Sequence, residues 1–178
     1  VDMCPEELAL AKARLPDGVV DLFELKAQNL TAVDDNSIDV VLCHWALTLM
    51  NPITPVLDEV NRVLSSGGRF AALVDGPMKA APKYSDVHNL IYRFAQAKIP
   101  KYGEIDLGDP RIRSTDRSKN LLREAFPNAK VNIETSVVSM EGPVNEVAET
   151  AAGFFYASFV LPPDTHRIML SELSNLLA

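Results

Sequence analysis

A chain of 178 residues, 47% hydrophobic and 23% charged, has the make-up of one soluble globular domain with an ordinary core. Its formal net charge of -7 and pI near 4.9, with no basic run, speak against nucleic acid or an anionic membrane surface as partner and suit a small neutral or cationic ligand. Cys4 and Cys43 lack C-x-x-C spacing and a histidine cluster, so no disulfide framework or zinc site is signalled, reduced thiols in a cytoplasmic setting are expected, and no apolar stretch reaches membrane-spanning length.

In chain order, Val1-Asp2-Met3-Cys4 reads as the end of a strand running into a helix. Pro5 at the first helical position, with Glu6 and Glu7 where the helix dipole favours anions, predicts a helix to about Leu15, ended by Pro16-Asp17-Gly18. Val19 to Leu25 is β-rich and predicts a strand, followed by a polar stretch through Asn36. The near-continuous apolar run from Ser37 to Cys43 predicts a strand buried on both faces. Thr54 as cap and Pro55 open a helix whose apolar positions are Val56, Leu57, Val60, Val63 and Leu64; Gly67 and Gly68 are expected to stop it. Arg69 to Asp75 predicts a further buried strand, and this alternation is that of a doubly wound parallel sheet.

Residues 76 to 120 carry one amphipathic helix (Val87, Leu90, Ile91, Phe94) and a Pro, Gly and charge-rich run, a candidate lid or substrate insertion. Leu121 to Phe126 reads as helical, and the alternation of Val131, Ile133 and Thr135 with polar neighbours predicts a half-exposed edge strand. Residues 143 to 178 form a helical segment: an apolar stripe from Val144 to Phe159, a break at Pro162-Pro163, and a closing helix from Ile168 to Leu177. Phe154, Phe155 and Phe159 are expected in the core, and His88 and His166 at the surface. The cations Lys98, Lys101, Arg111, Arg113 and Arg117 are expected on an exposed loop face rather than around an anionic substrate. The whole chain is expected to form a single domain.

Three segments taken together, Val1 to Leu8, Asp35 to Leu47 and Glu59 to Phe70, resemble the class I S-adenosylmethionine-dependent methyltransferases, in particular their small-molecule, quinone-methylase-like branch. The resemblance runs from Val1 to about Phe126, and Arg62-Val63-Leu64-x-x-Gly67-Gly68 is its most specific piece. It implies a Rossmann-like α/β fold, a mostly parallel sheet with flanking helices. It also implies methyl transfer from S-adenosylmethionine to a small molecule, with S-adenosylhomocysteine as product. Asp2 would accept the ribose hydroxyls, and Met3 would lie on the adenine face. Where the family places an acid for the adenine amine, this chain has Lys26, which only donates; the backbone of Ala27 and the carbonyl of Gln28 could substitute. Cys43 and His44 would flank the methionine part, and His44 is a weak candidate for a general base.

The family's first strand and Gly-rich turn have no counterpart here, so the chain is expected to be truncated at its amino terminus, and its helical close suggests the same at the carboxyl terminus. In the family order 3-2-1-4-5-7-6 this leaves a gap of roughly 14 Å beside the strand at Val40 to Leu42. Either the Val19 to Leu25 strand moves inward, or a second copy covers the edge as a homodimer. The alternative function is a non-catalytic dimerising scaffold that does not bind cofactor, favoured by Lys26 and the missing turn.

Overall fold

The computed structural model describes residues 1–16, 18–76, 81–103 and 108–178; Asp17 of the first predicted turn, and 77–80 and 104–107 of the predicted lid, lie outside the described residues. The chain separates into two compact units, residues 1–75 with 107–133 and residues 76–106 with 134–178.

The first unit holds the sheet. Pro5 starts α1 (Pro5–Arg14), with Glu6 and Glu7 in its first turn and Lys12 and Arg14 in its last, each charge matched to the helix dipole. β1 (Ile38–His44), α2 (Thr54–Val63) and β2 (Leu64–Leu73) form a parallel β-α-β unit, an α/β arrangement of the Rossmann-like kind with flanking helices. Val56, Leu57, Val60 and Val63 fall on one face of α2, and all four are buried. Val56, Leu57 and Val60 pack with Leu47, Ile53, Ile112, Phe126 and Leu121 of α4 (Thr115–Ala125), and Val41, Cys43 and Phe70 close the core from the sheet.

The double glycine does not end α2. The helix stops at Val63, because Leu64 already has the extended geometry of a strand (φ -66°, ψ 128°) and pairs with Ile38. The register then jumps to Val40 opposite Arg69, and Gly67, at φ +82°, takes up the irregularity.

β1 is covered on one face only. Val41 and Cys43 pack on the core, whereas Val40 is 52% exposed, Leu42 76%, and Leu73 of β2 51%. Covering helices reach this pair from the α2 and α4 side, which corrects the expected burial on both faces. Two other strand expectations also fail. Val19 to Leu25 forms only an isolated parallel bridge, Glu24 to Asp2, so it stays beside the amino terminus and does not move inward to β1. Residues 131–136 form no strand, since no neighbouring strand offers them a ladder among the described residues.

The second unit is helical: α3 (Tyr84–Lys98), α5 (Val144–Gly153), the short α6 (Tyr156–Phe159) and α7 (Pro163–Leu177). Val87, Ile91 and Ala95 of α3 meet Ala148 and Ala152 of α5 and Met169 and Leu173 of α7. Pro163 opens α7 five residues before the expected start, because the residue after Pro162 is itself a good first helical position. Of the three expected core phenylalanines, Phe155 packs on this core, but Phe154 and Phe159 are exposed. α5 ends at Gly153, so the stripe does not continue as one helix face. His88 is half-buried rather than superficial, its ring stacked on Tyr92 at 4.0 Å, and His166 is half-buried as well.

Candidate functional site

Asp2 is held by its backbone. Its N–H donates to the Phe23 carbonyl (3.1 Å), and its carbonyl accepts from Leu25 N–H (3.0 Å), the pattern of a parallel bridge centred on Glu24. The side chain is exposed, and its Oδ1 accepts the Cys4 N–H at 2.8 Å, just before α1. Cys4 occupies the N-cap position without a side-chain capping bond. Its thiol donates instead to Glu6 Oε2 (3.1 Å), and that bond is the main reason the Glu6 carboxyl lies below its ordinary value. Met3 is 65% exposed, so its thioether is presented to solvent.

After the bridge the chain turns at Lys26 to Asn29, closed by Asn29 N–H to the Lys26 carbonyl (2.9 Å). Lys26 is exposed; Ala27 and Gln28 are half-buried, Ala27 against the α2 core. The next residues are gripped by α2. Glu59 Oε2 accepts the Leu30 N–H (2.6 Å), and Arg62 donates to the carbonyls of Leu30 and Val33 (3.0 Å each), to Asp35 and to both oxygens of Glu59. The hydrogen bonds from Arg62, reinforced by the Leu30 N–H, hold the Glu59 carboxyl down at about 2, and the hydrogen bonds to Glu59 and then Asp35 raise Arg62 in turn.

At the carboxyl end of β1, successive side chains alternate between faces. Cys43 points to the core, where burial pushes its thiol up, while His44 is exposed and tilts against Trp45 with ring centroids 4.8 Å apart. The two are therefore not presented on one surface. Trp45 has φ +53°, a strained conformation for a bulky residue, fixed by its N–H to the Leu73 carbonyl (2.9 Å). Sequence reasoning missed Trp45 and the Glu59–Arg62 pair; the available signal for the pair was its i, i+3 spacing, ending at the first residue of the Arg-Val-Leu segment.

Residues 108–114 dock on the loop after β1. Asp109 N–H donates to the Met50 carbonyl (3.1 Å), and Arg113 to the Thr48 carbonyl (3.1 Å). Arg111 is taken up by Asp109 at 2.7 Å, and its guanidinium holds that carboxyl low. Two of the five cations read as a loop face are thus structural, and Lys98 and Lys101 belong to the other unit. Among the described residues, no group of three or more His, Cys, Asp or Glu side chains is gathered in a way that could hold a metal ion.

Residues 1–72 match a family described as a methyltransferase domain. Over this stretch the chain is similar to the class I methyltransferases. The match covers Asp2, the Lys26 to Gln28 turn, β1, α2 and nearly all of β2. The chain is also similar to 2-methoxy-6-polyprenyl-1,4-benzoquinol methylase, mitochondrial, of Schizosaccharomyces pombe (strain 972), at 29% identity over 118 residues. That alignment takes in 64% of this chain and 35% of the relative, so the chain spans about a third of the relative's length. No solved structure matches it.

The side chains this segment presents are of the kinds that one half of S-adenosylmethionine would need. A fixed, exposed carboxylate, an exposed thioether and a half-buried turn follow one another around one parallel bridge, as a ribose diol and an adenine ring require. The amino-acid half meets no glycine-lined cradle among the described residues. Gly108 and Gly68 are each spent on close approach to this chain's own backbone, at Thr48 and Ser65 respectively.

Proposed function

We propose that this chain is part of an S-adenosylmethionine-dependent enzyme that methylates a small, quinone-like molecule. The observation that carries the reading is the methyltransferase match over residues 1–72, which runs through every residue named for the cofactor. Asp2 takes the ribose hydroxyls, Met3 lies on the adenine ring, and Ala27 and Gln28 meet its edge. Bound cofactor supplies a methyl group on a sulfonium leaving group, so the protein has to align an acceptor rather than generate a strong electrophile. His44, exposed beside Trp45, is read as a wall of the acceptor pocket. Cys43, turned to the core, reaches the methionine part only by its backbone. The acceptor class follows the printed name of the fission yeast relative, a benzoquinol methylase.

The test is calorimetric titration with S-adenosylhomocysteine of the chain and of Asp2→Asn. Binding by the parent, weakened about tenfold or more in the variant at unchanged thermal stability, supports the reading. Equal affinity for the two removes Asp2 from the site. Lys26, which cannot accept from the adenine amine, favours the second reading, a methyltransferase-like scaffold without cofactor. Absence of binding both by the parent chain and by a form extended at its amino terminus with the family's first strand and Gly-rich turn would decide for that scaffold.

A further inference from the structure

Arg62 carries five N–H donors, and all five are engaged: Nε and Nη2 with Glu59, Nη2 also with the Leu30 carbonyl, and Nη1 with the Val33 carbonyl and Asp35. Glu59 accepts the Leu30 N–H as well, so both backbone groups of Leu30 are held by this one pair. The end of α2 continues the grip, with its Arg62 and Val63 carbonyls accepting from Asn36 and Ser37 at 2.9 Å each. The segment from Leu30 to Ser37 is thereby fixed to α2 along its length. Leu30 lies two residues after Gln28, and Ser37 immediately precedes β1.

This loop is only eight residues long. Saturating a guanidinium on it, with a two-oxygen carboxylate to hold the guanidinium in turn, fixes its position closely. We propose that Glu59 and Arg62 are a positioning pair for the Ala27-Gln28 turn, setting the acceptor groups that read the amino edge of an adenine ring. The proposal rests on the cofactor reading above and deepens it. Because Lys26 gives no acceptor, the discrimination falls on the backbone of Ala27 and the carbonyl of Gln28, which contribute only if the turn is held in register. Neither Glu59 nor Arg62 touches the ligand; each acts through Leu30.

The experiment compares S-adenosylhomocysteine with S-inosylhomocysteine, in which the adenine amine is replaced by an oxo group that cannot donate. Affinities are measured calorimetrically for the chain, Arg62→Gln and Glu59→Gln. Glu59→Gln keeps an oxygen for Leu30 and the packing of α2, and it carries the test should Arg62→Gln fail to fold. The parent is expected to prefer the adenine compound by about tenfold, the size of one well-made hydrogen bond, and the variants to lose most of that preference. A purely structural role weakens both ligands together and leaves their ratio intact; an unchanged ratio overturns the proposal and spares the cofactor reading. If neither the parent nor the extended form binds either ligand, the cofactor reading fails and this proposal falls with it.

Discussion

Gly108 sits where a side chain has no room: a Cβ built there would lie 2.4 Å from the Thr48 carbonyl oxygen and 2.9 Å from the backbone of Leu49 and Met50, at φ +80°. Gly108→Ala is therefore expected to destabilise the first unit by about 2 kcal/mol or more, through steric overlap added to left-handed strain, read as a lower urea midpoint. Glu59 makes a pH prediction. Its folded-state pKa of about 2 lies below the ordinary carboxylate value, so its stabilisation is complete above roughly pH 4.3 and is lost as pH falls from there through about 2. In Glu59→Gln the fall in stability across that window should flatten, measured as urea midpoint against pH. Asp109, also lowered, keeps its own share of the acid sensitivity. Asp2 was legible as a candidate, from its place where a strand runs into a helix. Its backbone tie to Phe23 and Leu25 was not, because the two segments meet only through tertiary structure.

Helices were legible where their ends carry chemistry. α1 and α2 have proline in the first turn, and α2 and α3 have apolar residues at helical spacing, of which Val56, Leu57, Val60, Val63, Val87 and Ile91 are buried and Leu90 and Phe94 half-buried. Leu57, fully buried on α2, tests that packing: Leu57→Ala should cost about 2–5 kcal/mol, the range for a leucine whose cavity closes only in part, seen as a fall in the thermal midpoint. Strands were harder, for a physical reason. A helix satisfies its hydrogen bonds within its own segment, whereas a strand exists only if a neighbour offers a ladder. Val19 to Leu25 and Val131 to Ser136 have the right composition but no such neighbour, while β1 has β2 along its length. The double glycine misled for a similar reason: Leu64 leaves the helix early because Ile38 is there to pair with it.

Across the whole molecule, composition predicted a single domain, and the described residues group into two compact units with separate hydrophobic cores. Sequence pattern could place the apolar positions but not divide them, since membership of one core or the other depends on which helices meet. The open face of the parallel pair is the other feature that pattern alone could not show. An apolar run states that a strand seeks cover, not how much it receives. Leu42→Thr removes the most exposed apolar side chain of that face. It should leave the urea midpoint nearly unchanged, within about 0.5 kcal/mol, and any self-association through that face, read by sedimentation velocity, should fall. Equal association of parent and variant would show that this face takes no part in it. That same surface has a practical consequence for anyone following the protein's folding. Dyes such as ANS brighten on accessible apolar patches, a response ordinarily taken to mean that side-chain packing has been lost. With Val40, Leu42 and Leu73 laid open side by side, the native chain should light the dye while its near-UV circular dichroism remains that of a packed protein.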